Sequence, residues 1–151
     1  MTHDGMWFFH CLQAYGIEAT NNINKSAIRS LAAIEIRRIK HILEIRNDIK
    51  SFEEFKRFFT EASKLMVPDF MNVRFTFPET NRMAWVFNQG KCFAYEGIKK
   101  LGVIDSYACG VLYRIQSWFD TLGIENSFDP GIDKCSMHFN GSCSGNIYVT
   151  F

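Results

Sequence analysis

Four of the five cysteines lie in the last 60 residues, and their thiols are the side chains best suited to chemistry in this sequence. They are Cys92, Cys109, Cys135 and Cys143, with 16, 25 and 7 residues between them. Four thiolates are the soft donor set that a tetrahedral structural zinc site requires, and iron accepts the same donors. The separations match no zinc-finger or zinc-ribbon spacing. Buried structural thiols are therefore the alternative to a metal site.

One of these thiols is also a candidate nucleophile. Ser106 is a suitable N-cap for a helix over 107–122, which would make Cys109 its third residue. The positive end of a helix dipole favours thiolate over thiol, and a thiolate is the reactive form. None of the four histidines is visibly placed as a base for it.

The last two cysteines of the group flank an Asn140-Gly141 pair, which is a strong signal for a β-hairpin turn. We expect Cys135 and Cys143 to face each other across that turn. On the same strand His138 would point to the opposite face from Cys135, which argues against a shared site. Cys11 falls on the apolar face of the first helix and is expected to be a small core residue.

The elements that must position these thiols follow from periodicity and turn chemistry. Helical spacing predicts helices at the N-terminus, and alternation with Asn, Gly and Pro turns predicts a hairpin and later strands. Ser51-Phe-Glu-Glu54 has the form of a capping box. The prediction is α+β, with N-terminal helices packed on an antiparallel sheet. The predicted helices are 4–15, 22–45, 51–65, a short one ending near 102, and 107–122; the predicted strands are the 72–87 hairpin, 124–128, 134–139 and 145–151.

Length and composition indicate one domain with ample core material. The chain has 151 residues, 47% of them hydrophobic, and fifteen Phe. We expect a helical half over about 1–66 and a sheet-plus-cysteine half over about 70–151. The N-terminus lacks the basic and apolar regions of a secretory signal, and no stretch reaches a membrane span. A cytoplasmic location with reduced thiols is the resulting expectation.

The charges are unevenly distributed, although the net charge is only +1. Residues 25–64 carry ten Lys or Arg against six Asp or Glu. A basic helix can meet nucleic acid or a protein partner, but mixed signs on one helix are typical of a solvated face. Nucleic-acid binding therefore ranks last among the functions considered.

Two parts of the chain resemble known families. The N-terminal part resembles a prokaryotic family of uncharacterised proteins that opens with Asp-Gly-x-Trp-Phe. The second half is similar to the same family and, more loosely, to the 4-vinyl-reductase (hydrocarbon-binding) domain; some relatives resemble 2-aminothiazoline-4-carboxylate hydrolase. The segments that carry these resemblances are Asp4–Phe8, Tyr15-Gly16, Ile34–Arg38, Asn88–Cys92, Cys109–Phe119, Leu122-Gly123, Cys135–Cys143 and Ile147–Phe151.

The resemblance implies a fold like the Golgi-tethering and haem-sensor ligand-binding domains. It implies a homodimer formed by the N-terminal helices, a small-molecule pocket between helices and sheet, and metal binding by Cys92, Cys109, Cys135 and Cys143. In such a pocket Trp7 would form part of the wall, and Glu35 and Arg38 would orient the ligand through polar contacts. Core packing for Trp7, and a structural Glu35–Arg38 pair, are the alternatives.

Two main functions follow. The first is a small-ligand-binding domain with a four-cysteine site that holds zinc or iron or is redox-active. The second is a thiol-dependent hydrolase of a small cyclic C–N or C–S substrate, with Cys109 as nucleophile.

Overall fold

Helices cover one face of a four-stranded antiparallel sheet, so the protein is α+β. The structure is a computed structural model that describes residues 3–151. The strand order is β1-β2-β4-β3, which places the last strand between two others. The elements are α1 (His3–Ile42), α2 (Phe52–Met66), β1 (Val73–Glu79), β2 (Arg82–Phe87), α3 (Phe93–Lys100), α4 (Gly110–Leu122), β3 (Glu125–Asp129), α5 (Ser136–Asn140) and β4 (Ser144–Thr150), with 3-10 turns at Asp69–Met71 and Ile104–Ser106.

The helix α1 consists of two arms that meet at Gly16. Gly16 has φ 77° and ψ 174°, a conformation that is essentially restricted to glycine. Asp4 and Ile28 line one cavity, although 24 positions of straight helix would hold them about 36 Å apart. The first arm therefore folds back along the second. This confirms the predicted helix stop at Gly16.

The core lies between the inner face of the sheet and the helices α2 and α4. Phe55 and Phe59 of α2 pack against Phe119 of α4 with ring centroids 5.4 and 6.1 Å apart. Trp85 in the middle of β2 is 1% exposed and packs against Phe128 of β3. The helix α1 packs on α4. The core thus draws on both halves of the chain.

A glycine in β4 allows the sheet to close over Trp85. A Cβ at Gly145 would lie 2.4 Å from the carbonyl oxygen of Asp129 and 2.5 Å from the Trp85 ring. Any larger residue would push the strand away from the indole. This packing keeps the Trp85 indole near Cys143, the last cysteine of the chain.

The predicted strand at 134–139 is wrong, because that segment contains the short helix α5. Gly141 has φ 71° and terminates this helix instead of forming a hairpin turn. The strand β4 already pairs with β2 on one side and β3 on the other, so no position beside it is open to a further strand. Cys135 and Cys143 are consequently not opposed across a hairpin.

Candidate functional site

Three of the four clustered cysteines stand immediately before a helix. Cys92, Cys109 and Cys135 are the N-cap residues of α3, α4 and α5, and all three have extended backbones. The fourth, Cys143, lies in the short connection between α5 and β4. All four are buried, and none forms a disulfide within the described residues.

The four thiols converge on one place, which we call the thiol cluster. A charge on Cys143, Cys92 or Cys135 would raise the pKa of Cys109. Cys92 and Cys135 act on the pKa of Cys143 in the same way, and Cys135 acts on that of Cys92. Every pair among the four is therefore within electrostatic range. Residues far apart in sequence lie in one region because three helices and one strand start there.

Backbone amides at the helix starts lie close to the sulfur atoms. The amides of Tyr95 and Ala94 lower the pKa of Cys92, and the amide of Leu112 lowers that of Cys109. The amides of His138 and Met137 act on Cys135 in the same way. None of these three cysteines forms a complete capping hydrogen bond. These donors would strengthen their contacts if the sulfur atoms became negatively charged.

Burial outweighs these donors and keeps the thiols protonated. Burial raises the pKa of Cys109 to about 12 and that of Cys143 to about 11. It also raises the pKa of Cys92 and Cys135. The helix start favours the Cys109 thiolate through the Leu112 amide, but burial has the larger effect, so the net shift of the pKa is upward. Cys109 is the N-cap of α4 and not the third residue of the predicted helix.

Trp85 provides a further donor to the thiol cluster. Its indole Nε1 is buried and has no complete hydrogen bond within the described residues. The same indole lowers the pKa of Cys143, so the N–H group lies near that sulfur. An unsatisfied buried donor is costly, and a thiolate at Cys143 would satisfy it.

The thiol cluster is not a formed metal centre in this arrangement. Among residues 3–151, no three His, Cys, Asp or Glu side chains are arranged to hold a metal ion. His138 is not part of the cluster, because its Nε2 lies 2.8 Å from Asp105 Oδ1. The prediction placed His138 outside the metal set, but on a strand, whereas it lies in α5.

An apolar cavity of about 220 Å³ lies beside the thiol cluster, between α1, α4 and the β1–β2 pair. Its wall includes Phe93, which follows Cys92, and Gly110, which follows Cys109. Most of the other lining residues are aliphatic or aromatic. Asn24, Tyr107 and Arg114 contribute polar groups, and Asp4, which is almost fully exposed, lies at the edge.

Tyr107 stands between the cavity and the thiol cluster. Its ring lines the cavity and packs edge-on against Phe8 with centroids 5.9 Å apart. The pKa of Tyr107 is raised, first by burial and then by the nearby Cys109, Cys92 and Cys135. Its hydroxyl oxygen accepts a hydrogen bond of 3.0 Å from the Gly110 amide. The two parts of the site therefore share this side chain.

The three predicted ligand-binding residues lie outside the cavity wall. Trp7 is 41% exposed and borders a shallow surface depression with Ser26 and Ser30. Arg38 is exposed on α1. Glu35 is buried, and its partner is Arg114 rather than Arg38.

Glu35 joins α1 to α4 behind the cavity. Arg114 donates to both carboxylate oxygens of Glu35, with Nε 3.0 Å from Oε2. The Trp118 indole donates to Oε2 over 2.8 Å. Arg114 and Trp118 both line the cavity, so Glu35 orients two wall residues.

Sequence reasoning missed Tyr107 and Arg114. Arg114 stands beside the inward stripe of α4, and a cation there matches the buried carboxylate of Glu35 on α1. This charge complementarity between α1 and α4 could have predicted the Glu35–Arg114 pair. Nothing in the sequence around Tyr107 distinguishes it from a core aromatic residue.

Comparison with known proteins shows the family but not its activity. No curated protein and no solved structure matches the chain. The resemblances to vinyl-reductase domains, to the hydrolase and to the Golgi-tethering fold therefore stay predictions. The family model DUF6125 matches residues 1–116, which include Cys92 and Cys109 but end before Cys135. The chain belongs to DUF6125, a family of unknown function.

Proposed function

We propose that this protein is a small-ligand-binding domain in which Cys92, Cys109, Cys135 and Cys143 take up one zinc or iron ion beside the cavity. The observation that carries the proposal is the convergence of four buried thiols from four separate elements. Chance burial of free cysteines would scatter them through the core. Four soft donors in one place are what zinc and iron select.

The surroundings of the cysteines fit metal-bound thiolates better than free thiols. Amides at three helix starts and the indole N–H of Trp85 lie near the sulfurs. Donors of this kind orient metal ligands and balance their charge. Around a neutral thiol the same donors have only a weak acceptor.

Metal uptake requires the sulfur atoms to move closer together. Four sulfurs at about 2.3 Å from one ion are about 3.8 Å from each other, and the present arrangement does not meet this requirement. We infer that rotation of each side chain about its Cα–Cβ bond contributes to this movement. A bound ion would displace the thiol protons and tie four elements together.

The test is metal content combined with thiol accessibility. Protein purified without chelator should contain about one equivalent of zinc or iron, with four of the five thiols protected from alkylation. Cys109→Ser and Cys143→Ser should lose the metal. Cys11→Ser should retain it, because Cys11 lies on α1 and is not among the residues that act on the pKa of the four clustered thiols. Metal-free protein with all thiols readily alkylated would contradict the proposal.

Native mass measured on the same samples tests the homodimer that the resemblance implies. Met6, Trp7 and Ile34 are half-exposed apolar side chains of α1 that such an interface would cover. A dimeric mass that survives loss of the metal is the expected result. A monomeric mass at tens of micromolar would contradict dimerisation and leave the metal site unaffected.

The hydrolase alternative gains no support from the geometry. A nucleophilic cysteine needs a low pKa and a nearby base, whereas the pKa of Cys109 is raised to about 12. His138 is paired with Asp105, and His3, His10 and His41 are exposed on α1.

Among the described residues, no helix has the length and apolar character that crossing a membrane requires.

A further inference from the structure

The cavity has one polar end, formed by Asn24 and Tyr107 over Gly110. The Asn24 amide nitrogen and the Tyr107 hydroxyl lie 2.8 and 3.2 Å from the point that a Cβ on Gly110 would occupy. Ile28 Cδ1 lies 3.1 Å from the same point, so any side chain on residue 110 would displace these groups. Both polar residues also line the cavity, so their hydrogen-bonding groups form one end of its wall. The opposite walls, formed by residues such as Val73, Phe75 and Ile115, are apolar.

Both polar groups have hydrogen-bonding capacity that the protein does not use. The Tyr107 oxygen accepts from the Gly110 amide, but its O–H hydrogen has no acceptor among residues 3–151. The Asn24 side chain makes no hydrogen bond within the same range. Tyr107 is 5% exposed, so water does not readily replace the missing acceptor. A buried donor without an acceptor is normally costly, and a bound ligand removes that cost.

The charges around the cavity disfavour an ionic ligand. The Arg114 guanidinium is already neutralised by the Glu35 carboxylate. Asp4 at the edge repels anions, and it is too exposed to neutralise a cation inside the cavity. A charged group among these apolar walls would have no buried counter-ion.

From these contacts we infer that the cavity binds a small, neutral, mostly apolar molecule through one oxygen acceptor, which receives hydrogen bonds from Tyr107 and Asn24. This inference rests on the proposed ligand-binding function and specifies the ligand class. A cavity of about 150 Å³ takes up benzene, so one of about 220 Å³ suits a ligand of about nine non-hydrogen atoms. Aromatic ketones have this size and polarity.

Three probes of similar size separate the contributions of the hydrogen bond, the apolar contacts and the ligand charge to binding. They are acetophenone, ethylbenzene and benzoate. Titration calorimetry should show binding of acetophenone about fivefold tighter than ethylbenzene, the ratio expected for a neutral hydrogen bond, and no binding of benzoate. Tyr107→Phe removes one of the two donors, so it should reduce the preference for acetophenone and leave ethylbenzene affinity unchanged. Since this variant also removes the acceptor of the Gly110 amide, Asn24→Leu provides a second variant that breaks no internal hydrogen bond.

The outcomes distinguish the inference from the proposed function. Equal affinity of the ketone and the hydrocarbon, or an unchanged preference in both variants, overturns the inference while ligand binding stands. If benzoate binds most tightly of the three probes, the inference that the ligand is neutral is overturned. If no probe binds, or if Ala94→Leu, which narrows the cavity, leaves binding unchanged, both the inference and the ligand-binding function are overturned. Metal content, measured in parallel, tests the thiol cluster independently.

Discussion

The protonation of Cys109 is decided by two opposing effects at one sulfur atom. The Leu112 amide at the start of α4 favours the thiolate, and burial favours the thiol. Burial prevails because the Cys109 side chain is 9% exposed, and charges on the three neighbouring thiols would raise its pKa further. The metal-free protein therefore keeps protons on this cluster at neutral pH, and an incoming metal ion must displace them.

We predict that the metal-free, reduced protein loses stability as the pH rises above about 9. The pKa of Cys109 rises from 9.0 in an ordinary environment to about 12 in the folded state, and that of Cys143 to about 11. Between these values the unfolded state has released protons that the folded state still holds. Stability is therefore fully present below pH 9 and falls by up to about 1.4 kcal/mol per pH unit for each such thiol.

Urea unfolding between pH 8 and 10.5 measures this slope. The Cys109→Ala variant should show a shallower decline than the parent protein. The Cys11→Ala variant, which removes a thiol outside the cluster, should retain the parent slope. A slope that is identical in all three proteins would contradict the assignment of the decline to Cys109.

At the scale of the elements, one buried ion pair fixes the position of α1 on α4. Glu35 is 6% exposed and receives hydrogen bonds from Arg114 and Trp118. Removing one partner leaves a buried charge without compensation. Replacing Glu35 and Arg114 together with apolar residues of similar size removes both charges, and leaves only the Trp118 indole N–H without its acceptor, which is a smaller cost. The pair is therefore more important for positioning the two helices than for net stability.

We predict that Arg114→Met lowers the free energy of unfolding by about 3 kcal/mol, whereas the double variant Glu35→Leu/Arg114→Met loses much less. Arg38→Met is the matched control, because Arg38 is an exposed cation on the same helix as Glu35, and its change should stay within about 0.5 kcal/mol. Chemical denaturation measures all three. A cost for Arg38→Met equal to that for Arg114→Met would restore Arg38 as the partner of Glu35.

The sequence predicts elements well where local chemistry is unambiguous. Ser51 caps α2 as its capping box predicts, with the Glu54 amide 3.3 Å from the Ser51 hydroxyl. The Glu54 carboxylate reaches back one residue further than the motif predicts, and accepts from the Lys50 amide over 2.8 Å. The helix stops at Gly16 and Gly123 were also correct. Asn140-Gly141 was misread because a left-handed glycine ends a helix as readily as it forms a hairpin turn. Only the pairing of β4 with two other strands decides between these readings.

The site was predictable by residue type but not by geometry. The four cysteines were identified from their number and region, yet their meeting depends on three helix starts that converge in the folded chain. The predicted start of α4 placed Cys109 three positions too deep in the helix, and the dipole argument did not include the burial that raises its pKa. The cavity wall escaped prediction because apolar residues such as Val111 look the same beside a cavity as in a core.

For the whole molecule, a metal ion would act as a cross-link in its least regular part. Residues 88–143 contain α3, α4, β3, the short helix α5 and a 3-10 turn, and the four thiols join the starts of α3, α4 and α5 to the start of β4. The α2 helix packs against the sheet and α4 through Phe55 and Phe59 and contributes no thiol. Metal binding should therefore stabilise the thiol-bearing segments of residues 88–143 more than it stabilises α2.

We predict that adding Zn²⁺ to the metal-free, reduced protein slows amide hydrogen exchange mainly at the helix starts beside the sulfurs. The amides of Ala94, Leu112 and His138 already lie near cysteine sulfurs and would donate to metal-bound thiolates. Protection should rise there by at least tenfold when Zn²⁺ exceeds its dissociation constant by that factor, because local opening must then release the ion. Hydrogen exchange with mass spectrometric detection resolves these segments.

The α2 helix, Phe52–Met66, is the internal control for this measurement, since its exchange depends on packing rather than on the thiols. Cys143→Ser should remove the protection at α3 and α4 together, although residue 143 lies in neither helix, because the loss of one ligand releases the whole cross-link. Protection that stays confined to the segment of each remaining cysteine would mean that the thiols bind zinc separately. Equal slowing across α2 and the thiol-bearing segments would indicate general stabilisation, and would count against a cross-link at the thiol cluster.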